Sequence, residues 1–464
     1  MKRLLPVILS FLLISMTVMT GCSDTKINRN EELKDAYETA YATLKESFEE
    51  DSCDYDLISD FLKSWAESSG VEVEAQADHY TVLMNPASEG NSAKHTTVLQ
   101  LSLDTEDIQP DLKTLSLGLA SLLGPEEHDN IRLIVTEIQD GNFLGANDVS
   151  AKYLKCDDFI NLSKSSNYCV FVSGSDTATA TITEKAGRRA PKYSKAFEIS
   201  MSFNKYADPF KFDKNNNYPD PIDTVGNLLA TAKSAGRLFE IASFNSEAND
   251  GYMPYSVKTV IVIDENNIEG FKSRFDKSYS SIESRFDKID SPFVYTMTET
   301  ELPETVFSDS ATNGLISLMY TLNTGICEQD EDTGLIKAAS YIKSVNTKKN
   351  IEVQVDMRAR DSEILSTLIS DYQTTSGLCN MKCSISDPYL VWTSSDDSNL
   401  ANYFSGIVPL AENESNIMLA HNELDLFAAK NKKLNAISYC FVKDVSKNTL
   451  RNIVNYMDKS RSED

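Results

Sequence analysis

Apolar residues recur at helical spacing over residues 31–50, where Leu33, Ala36, Ala40, Leu44 and Phe48 share one stripe. A second amphipathic helix is predicted over Tyr55–Ser69, running out at Gly70. Residues 71–84 alternate like strands and close at Pro86. The run 96–103 predicts a buried strand, and Leu112–Leu123 a short helix stopped by Gly124-Pro125. Further strands are predicted at 131–136, 159–162 and 168–173. Strands that alternate with helices predict an α/β domain with a mostly parallel sheet.

Over residues 188–194 the composition turns basic and loop-like, which places a boundary near residue 190. Beyond it come a strand at 197–203, a helix at 221–235, a strand at 256–263 and a helix at 268–288. That last helix carries a near-repeat, Ser273–Lys277 and Ser284–Lys288, read as the solvated side of a packed helix. A helix at 312–322, a strand at 351–357, a helix at 361–374 and a strand at 381–386 follow. This succession predicts a two-layer α+β sandwich of the ferredoxin-like kind. From residue 394 the pattern is helical again, with a strand at 435–442 and a helix at 447–458 that return to the first domain. The organisation is then 1–21, an export signal; 22–50, a tether and N-terminal helix; 51–190 and 394–464, the α/β domain in two parts; and 191–393, an inserted α+β domain.

Charge and the chain's start change this picture. A net charge of −26 argues against nucleic acid as a partner and against adhesion to anionic lipid. Lys2 and Arg3 precede an apolar run, residues 4–18, that is short for a spanning helix and ends in Met19-Thr20-Gly21-Cys22. Small residues before a cysteine look like a bacterial lipobox. The expectation is a lipoprotein with acyl chains such as palmitate on Cys22, held by them at the extracytoplasmic face of a bacterial membrane. Without Cys22, seven of the eight cysteines remain, an odd number. Cys379-x-x-x-Cys383 reads as buried thiols, a disulfide or part of a metal site, in that order of preference. None of the four histidines lies at ligand spacing from another. Asp213-Lys214-Asn215-Asn216-Asn217-Tyr218 lacks the glycine of a calcium loop, and Thr224 stands where such a loop has glutamate. Ser173-Gly174-Ser175 lacks the flanks of a nucleophile elbow. Arg188-Arg189 is read as an exposed loop, with a basic contact as the alternative.

Several strings match one family in order. Phe61-Leu62-Lys63-Ser64-Trp65-Ala66, then Gly70-Val71-Glu72-Val73, then Asn85-Pro86-Ala87-Ser88 lead into Val98-Leu99-Gln100. Gly145-Ala146-Asn147-Asp148-Val149, Ile160-Asn161-Leu162 and Gly334-Leu335-Ile336 follow, and Arg358 matches the arginine of an Arg-Ser-Ser strand. Asp387-Pro388-Tyr389-Leu390-Val391-Trp392 resembles a Tyr-Pro-x-Trp string, and Ala420-His421-Asn422-Glu423-Leu424 a His-Ala-Gly-Leu-Glu string. Over roughly residues 56–457 the chain resembles the aminoacyl-histidine dipeptidases, zinc metallopeptidases related to carnosinase and peptidase T. The resemblance implies a metallopeptidase-like α/β domain with a lid inserted in it. It also implies a pair of metal ions that polarise a peptide carbonyl and ionise a water, with a glutamate as general base.

The ligands that the resemblance implies are mostly replaced. Ser102 stands at the first histidine, and Asp104 keeps the aspartate two residues on, so the His-x-Asp of a metal-binding strand is halved. The segment that supplies a bridging aspartate has no counterpart between Asp104 and Ile131. The Glu-Glu pair falls on Ile138-Gln139, or a shift of one residue puts Glu137 at the base position. Ser163 replaces an aspartate, Ala207 the lid histidine, and Val442-Lys443-Asp444-Val445 holds no last histidine. Asp104 alone cannot hold two divalent ions. The expectation is a non-catalytic relative without a metal cofactor that binds a small peptide or another surface protein. The alternative is a zinc-dependent dipeptidase with a rebuilt site. Arg358 is a candidate to clamp a ligand carboxylate, with a structural ion pair as the competing reading. His421 is a second ligand candidate, against a packed or exposed histidine.

Overall fold

The structure is a computed structural model and describes residues 25–164, 168–203, 207–212, 218–249, 251–286, 293–395, 398–408, 415–441 and 447–459. The export signal, Cys22, residues 213–217 of the calcium-like loop and residues 442–445 lie outside the described residues. Among the described residues, no helix is long and apolar enough to cross a membrane. The chain divides into two compact units: residues 1–174, 391–418 and 422–464 in one, and residues 175–390 and 419–421 in the other.

The first unit is built on a seven-stranded sheet. Its order is Glu72–Ala77, Tyr80–Asn85, Asn130–Ile138, Thr96–Asp104, Asp158–Lys164, Ala436–Phe441, Cys169–Phe171. The four central strands run parallel, and the outer ones pair antiparallel, so the sheet is mixed around a parallel centre. Along Thr96–Asp104, leucines alternate with polar residues. Leu99, Leu101 and Leu103 join a core with Leu44, Phe61, Trp65, Leu115, Phe404 and Ile453 from the helices. Gln100 and Ser102 therefore point to the opposite face. The helix Tyr55–Ser69 ends where Gly70 takes φ 72°, and its N–H bonds to the Ala66 carbonyl. The helix Leu112–Leu123 sits so close to the sheet that a Cβ on Gly118 would come within 2.5 Å of Leu101.

The second unit contains the expected ferredoxin-like order twice. Lys195–Phe203, the helix Pro221–Ser234, Phe239–Glu247, Ser256–Ile263, the helix Ile268–Phe286 and Phe293–Thr300 form an antiparallel four-stranded sheet with two helices. That whole block is spliced into another. Asp176–Glu184 pairs between Ile351–Ala359 and Lys382–Ile385, and Ile336–Asn346 pairs with Ile351–Ala359. The helices Asp309–Thr321 and Ser362–Leu378 complete the second block.

The boundaries near 190 and 393 need correction: the chain crosses between units at Gly174–Ser175 and at Leu390–Val391. The reason is Asp176–Glu184, an internal strand of the second unit that the sequence pattern hides. Its inward residues are Ala178, Ala180 and Ile182, set among threonines, so the alternation carries little hydrophobic contrast. The strands Phe239–Glu247, Phe293–Thr300 and Ile336–Asn346 were likewise not anticipated. Arg188-Arg189 is a short strand paired with Val306–Phe307 rather than an exposed loop. Arg188 donates to the carbonyls of Ala242 and Thr347 at 3.1 and 2.9 Å, and its guanidinium covers the Phe307 ring.

Candidate functional site

The C-terminal ends of parallel strands are where an α/β sheet gathers chemistry. In the first unit, the polar face leading to those ends is filled by a hydrogen-bonded ladder. Ser438 donates to Asn161 (2.8 Å), and Asn161 donates to the Gln100 carbonyl (2.5 Å). Gln100 donates to Ser102 (3.0 Å) and Thr136 (3.1 Å). The strands hold these residues in register: Gln100 lies opposite Asn161, and Asn161 opposite Ser438. Gln100, Thr136, Asn161 and Ser438 are all buried. Ser102 then donates to the Glu423 carboxylate, also buried, at the start of the helix Glu423–Lys430. Asn422 caps that helix by accepting from the Leu424 N–H.

Asp104, expected from the sequence resemblance to match a ligand position, has its carboxylate folded back onto the Glu106 N–H (3.0 Å). Its own N–H donates to Asp111 (2.7 Å). Asp111 in turn is ion-paired with Lys164, the residue after Ser163. The Lys164 ammonium thus pairs with the same carboxylate that accepts from the Asp104 N–H. Ile138 ends its strand with its carbonyl bonded by Thr105, and Gln139 enters a tight turn in which Asp140 and Gly141 have positive φ. The Gln139 side chain lines an acidic groove of about 900 Å³ with Glu49, Glu50, Asp54 and Glu106. Ala207 is in the second unit, buried in its core, with its carbonyl accepting from Met253.

Glu137, the alternative base, is buried with both oxygens engaged. The His79 Nδ1 lies 2.6 Å from one, and Thr105 Oγ1 donates to the other at 2.8 Å. His79 reaches it from the hairpin between Glu72–Ala77 and Tyr80–Asn85 because Tyr80 pairs with Thr136. Asp148 lies 3.9 Å from the His79 Nε2. Gly145 permits this packing, since a Cβ there would come within 2.2 Å of the His79 carbonyl oxygen. His79, Asp111, Lys164 and Glu423 were not singled out from the sequence. They come from other segments, and only strand pairing brings them to these positions.

A metal pair needs several carboxylate or imidazole donors turned toward one point. The positions at issue offer two hydroxyls, an isoleucine, an amide and a single carboxylate, with Lys164 close by. This donor set does not fit two divalent ions. Among the described residues, no group of three or more His, Cys, Asp or Glu side chains is placed to hold a metal ion.

In the second unit, Arg358 and His421 come together. Arg358 donates to the carbonyls of Leu419 (2.8 Å) and Ala420 (3.1 Å), and lies 3.4 Å from the His421 Nδ1. The guanidinium stacks 4.9 Å from the Phe210 ring centre. Asp208 accepts from the N–H groups of His421 (3.1 Å) and Phe210 (2.9 Å). Burial raises the Asp208 carboxyl above its ordinary value, against the Phe210 N–H and the Arg358 charge. Arg358 thus ties the 419–421 segment to this unit through backbone carbonyls.

No protein-family model matches the sequence, and no curated protein matches it. Among solved structures, aminoacylhistidine dipeptidase from Vibrio alginolyticus aligns with a TM-score of 0.53 at 16% identity, over 95% of this chain and 98% of that one. An aminopeptidase PepT from Bacillus cereus aligns at 8% identity over 92% of this chain and 96% of its own, with a TM-score of 0.42. A dinuclear metal-binding peptidase of the M20 family from Bacillus subtilis gives 8%, 92% and 96%, with a TM-score of 0.36. By the first of these, a near full-length superposition, the chain has the fold of that protein, an α/β unit with an α+β unit inserted in it.

Proposed function

We propose that this chain is a lipid-anchored, extracytoplasmic relative of the dipeptidases that has lost catalysis and acts by binding a peptide or a protein. One observation carries the reading. Ser102, at the position of a metal histidine in the resembling family, is bonded into a ladder with Glu423, Thr136 and Gln100. Groups satisfied by one another are not presented to a substrate or a cation. The Lys164–Asp111 ion pair supports the same reading, because it commits the carboxylate that also accepts from the Asp104 N–H to a lysine rather than to a metal ion. Arg358 and His421 are then part of a structural tie.

The test is metal analysis of the purified protein together with a panel of Xaa-His and other dipeptides. Far less than one zinc, manganese or cobalt per chain is expected, and no turnover with added metal. A tightly bound metal pair, or turnover abolished by Asp104→Ala, would restore the reading as a zinc-dependent dipeptidase with a rebuilt site. The pairing of His79 with Glu137 and Asp148 is the observation that favours that second reading. Glu137 would then be its general base.

The anchor is tested separately. Cys22→Ala is expected to leave the precursor unprocessed or to shift the protein out of the membrane fraction. Fractionation of labelled cells reads this directly, and unchanged processing and retention would remove the lipid from the proposal.

A further inference from the structure

The strand Cys169–Phe171 pairs antiparallel with Ala436–Phe441, and the register sets Cys169 directly opposite Cys440. Residues directly opposed in an antiparallel pair point to the same face, with Cα atoms about 4.5 or 5.5 Å apart. Both separations fall inside the range of about 4.4–6.8 Å that a disulfide spans. The face is known, because Ser438, two residues from Cys440, donates to Asn161 in the polar ladder. Cys440 also lies opposite Ser163 on its other side. Ser163, Cys440 and Cys169 therefore form one row, next to the row Gln100, Asn161, Ser438. Both cysteines are buried, and both are thiols in the structure. Among the described residues they are the one pair of cysteines opposed across a strand ladder.

We propose that Cys169 and Cys440 are a cross-strand disulfide site that latches the edge strand of the first unit's sheet beside the vacated ligand position Ser163. The bond is closed by exchange with a disulfide oxidant, such as glutathione disulfide or an oxidised dithiol protein. One cysteine thiolate attacks a sulfur of the oxidant and expels a thiolate. The other cysteine, as thiolate, then attacks the mixed disulfide and expels the second. Two thiol protons leave, two electrons pass to the oxidant, one S–S bond forms and the oxidant's is broken. The edge strand is short, so a covalent link there removes fraying that three residues of pairing resist weakly. The inference stands whether or not the protein has lost catalysis.

The test uses the full chain, unfolded and refolded in a glutathione redox buffer so that burial does not block the thiols. Remaining thiols are alkylated, and peptides are mapped without reduction. A Cys169–Cys440 linked peptide is expected, together with a melting temperature roughly 5–10 °C above that of the reduced protein. The same oxidation should leave the melting temperature of Cys440→Ala unchanged. The linkage is read on the unsubstituted chain, so a variant that folds poorly does not decide the outcome. Recovery of Cys169 and Cys440 as alkylated thiols, or a Cys379–Cys383 linkage in their place, overturns the proposal.

Discussion

Replacing Asn161 with leucine is expected to lower the unfolding free energy by about 3–5 kcal/mol. Asn161 is the middle rung of the ladder that crosses the parallel strands, and it is 1% exposed. It donates to Gln100 and accepts from Ser438, and both of those side chains are fully buried. Leucine keeps the volume but strands the Gln100 carbonyl away from water and leaves the Ser438 hydroxyl only a weak contact with Cys440 Sγ at 3.7 Å. An unsatisfied buried group costs roughly 1–3 kcal/mol, and a polar chain within a low-dielectric core adds cooperative loss. Denaturant unfolding of wild type and variant measures the change. Gln100→Leu combined with Asn161→Leu should cost less than the two single changes added, because each removes a partner that the other orphans. A single-variant loss below about 1 kcal/mol would mean that water reaches the ladder and replaces the missing bond, and the face would then be open rather than closed.

That distinction bears on function. A catalytic face keeps donors and acceptors aimed at an empty point where a reacting atom will sit. The face of this sheet spends its donors sideways, strand to strand, and ends in Ser102 on Glu423. The acidic residues nearest the strand ends are also committed: Asp104 to a backbone turn, Asp111 to Lys164, and Glu137 to His79 and Thr105. The face is polar, and its polar groups bond to one another along and across the strands.

Much of the fold was legible because its elements are strongly periodic. Tyr55–Ser69 and Leu112–Leu123 have clear apolar stripes and glycine stops, and the leucines of Thr96–Asp104 mark a buried strand. Asp176–Glu184 was not legible, because alanine against threonine gives little contrast, and missing it moved the boundary to the basic stretch that follows. The expected ligand positions could be read from the resembling strings. The partners that now surround them could not. Lys164 follows an ordinary strand, His79 sits in a hairpin turn, and Glu423 is separated from Ser102 by most of the chain. Their partners are chosen by sheet pairing, a long-range property without a local sequence pattern. The opposition of Cys169 to Cys440 was hidden for the same reason.

Stability should fall by about 2–4 kcal/mol between pH 4 and pH 8, counting the groups below together. Asp220 caps the helix Pro221–Ser234 by accepting from the N–H groups of Ile222 and Asp223. Burial and the neighbouring Asp223 push its carboxyl up to about 7. Between the ordinary carboxylate value and that figure, the folded chain keeps a proton that the unfolded chain has lost. Stability therefore declines as pH rises through this window, and the penalty is complete above it. The full shift corresponds to about 4 kcal/mol, but Asp220 keeps partial contact with solvent, and screening brings its expected share to about 2 kcal/mol. Burial raises Asp208 as well, with the same sign. His95 is raised by its bond to Asp158, so its contribution is full below the ordinary imidazole value and is lost as pH rises through the folded one. The lowered carboxyls, Asp129 and Asp309, act in the opposite sense, losing their contribution only as pH falls through their own depressed values. Urea midpoints across this range test the sum, and Asp220→Asn isolates the main component. Asparagine retains an oxygen for the cap but cannot ionise, so its slope between pH 4 and pH 8 should be shallower by about 2 kcal/mol in total. An unchanged slope in Asp220→Asn would show that this carboxyl titrates at its ordinary value, already ionised where the helix cap is formed.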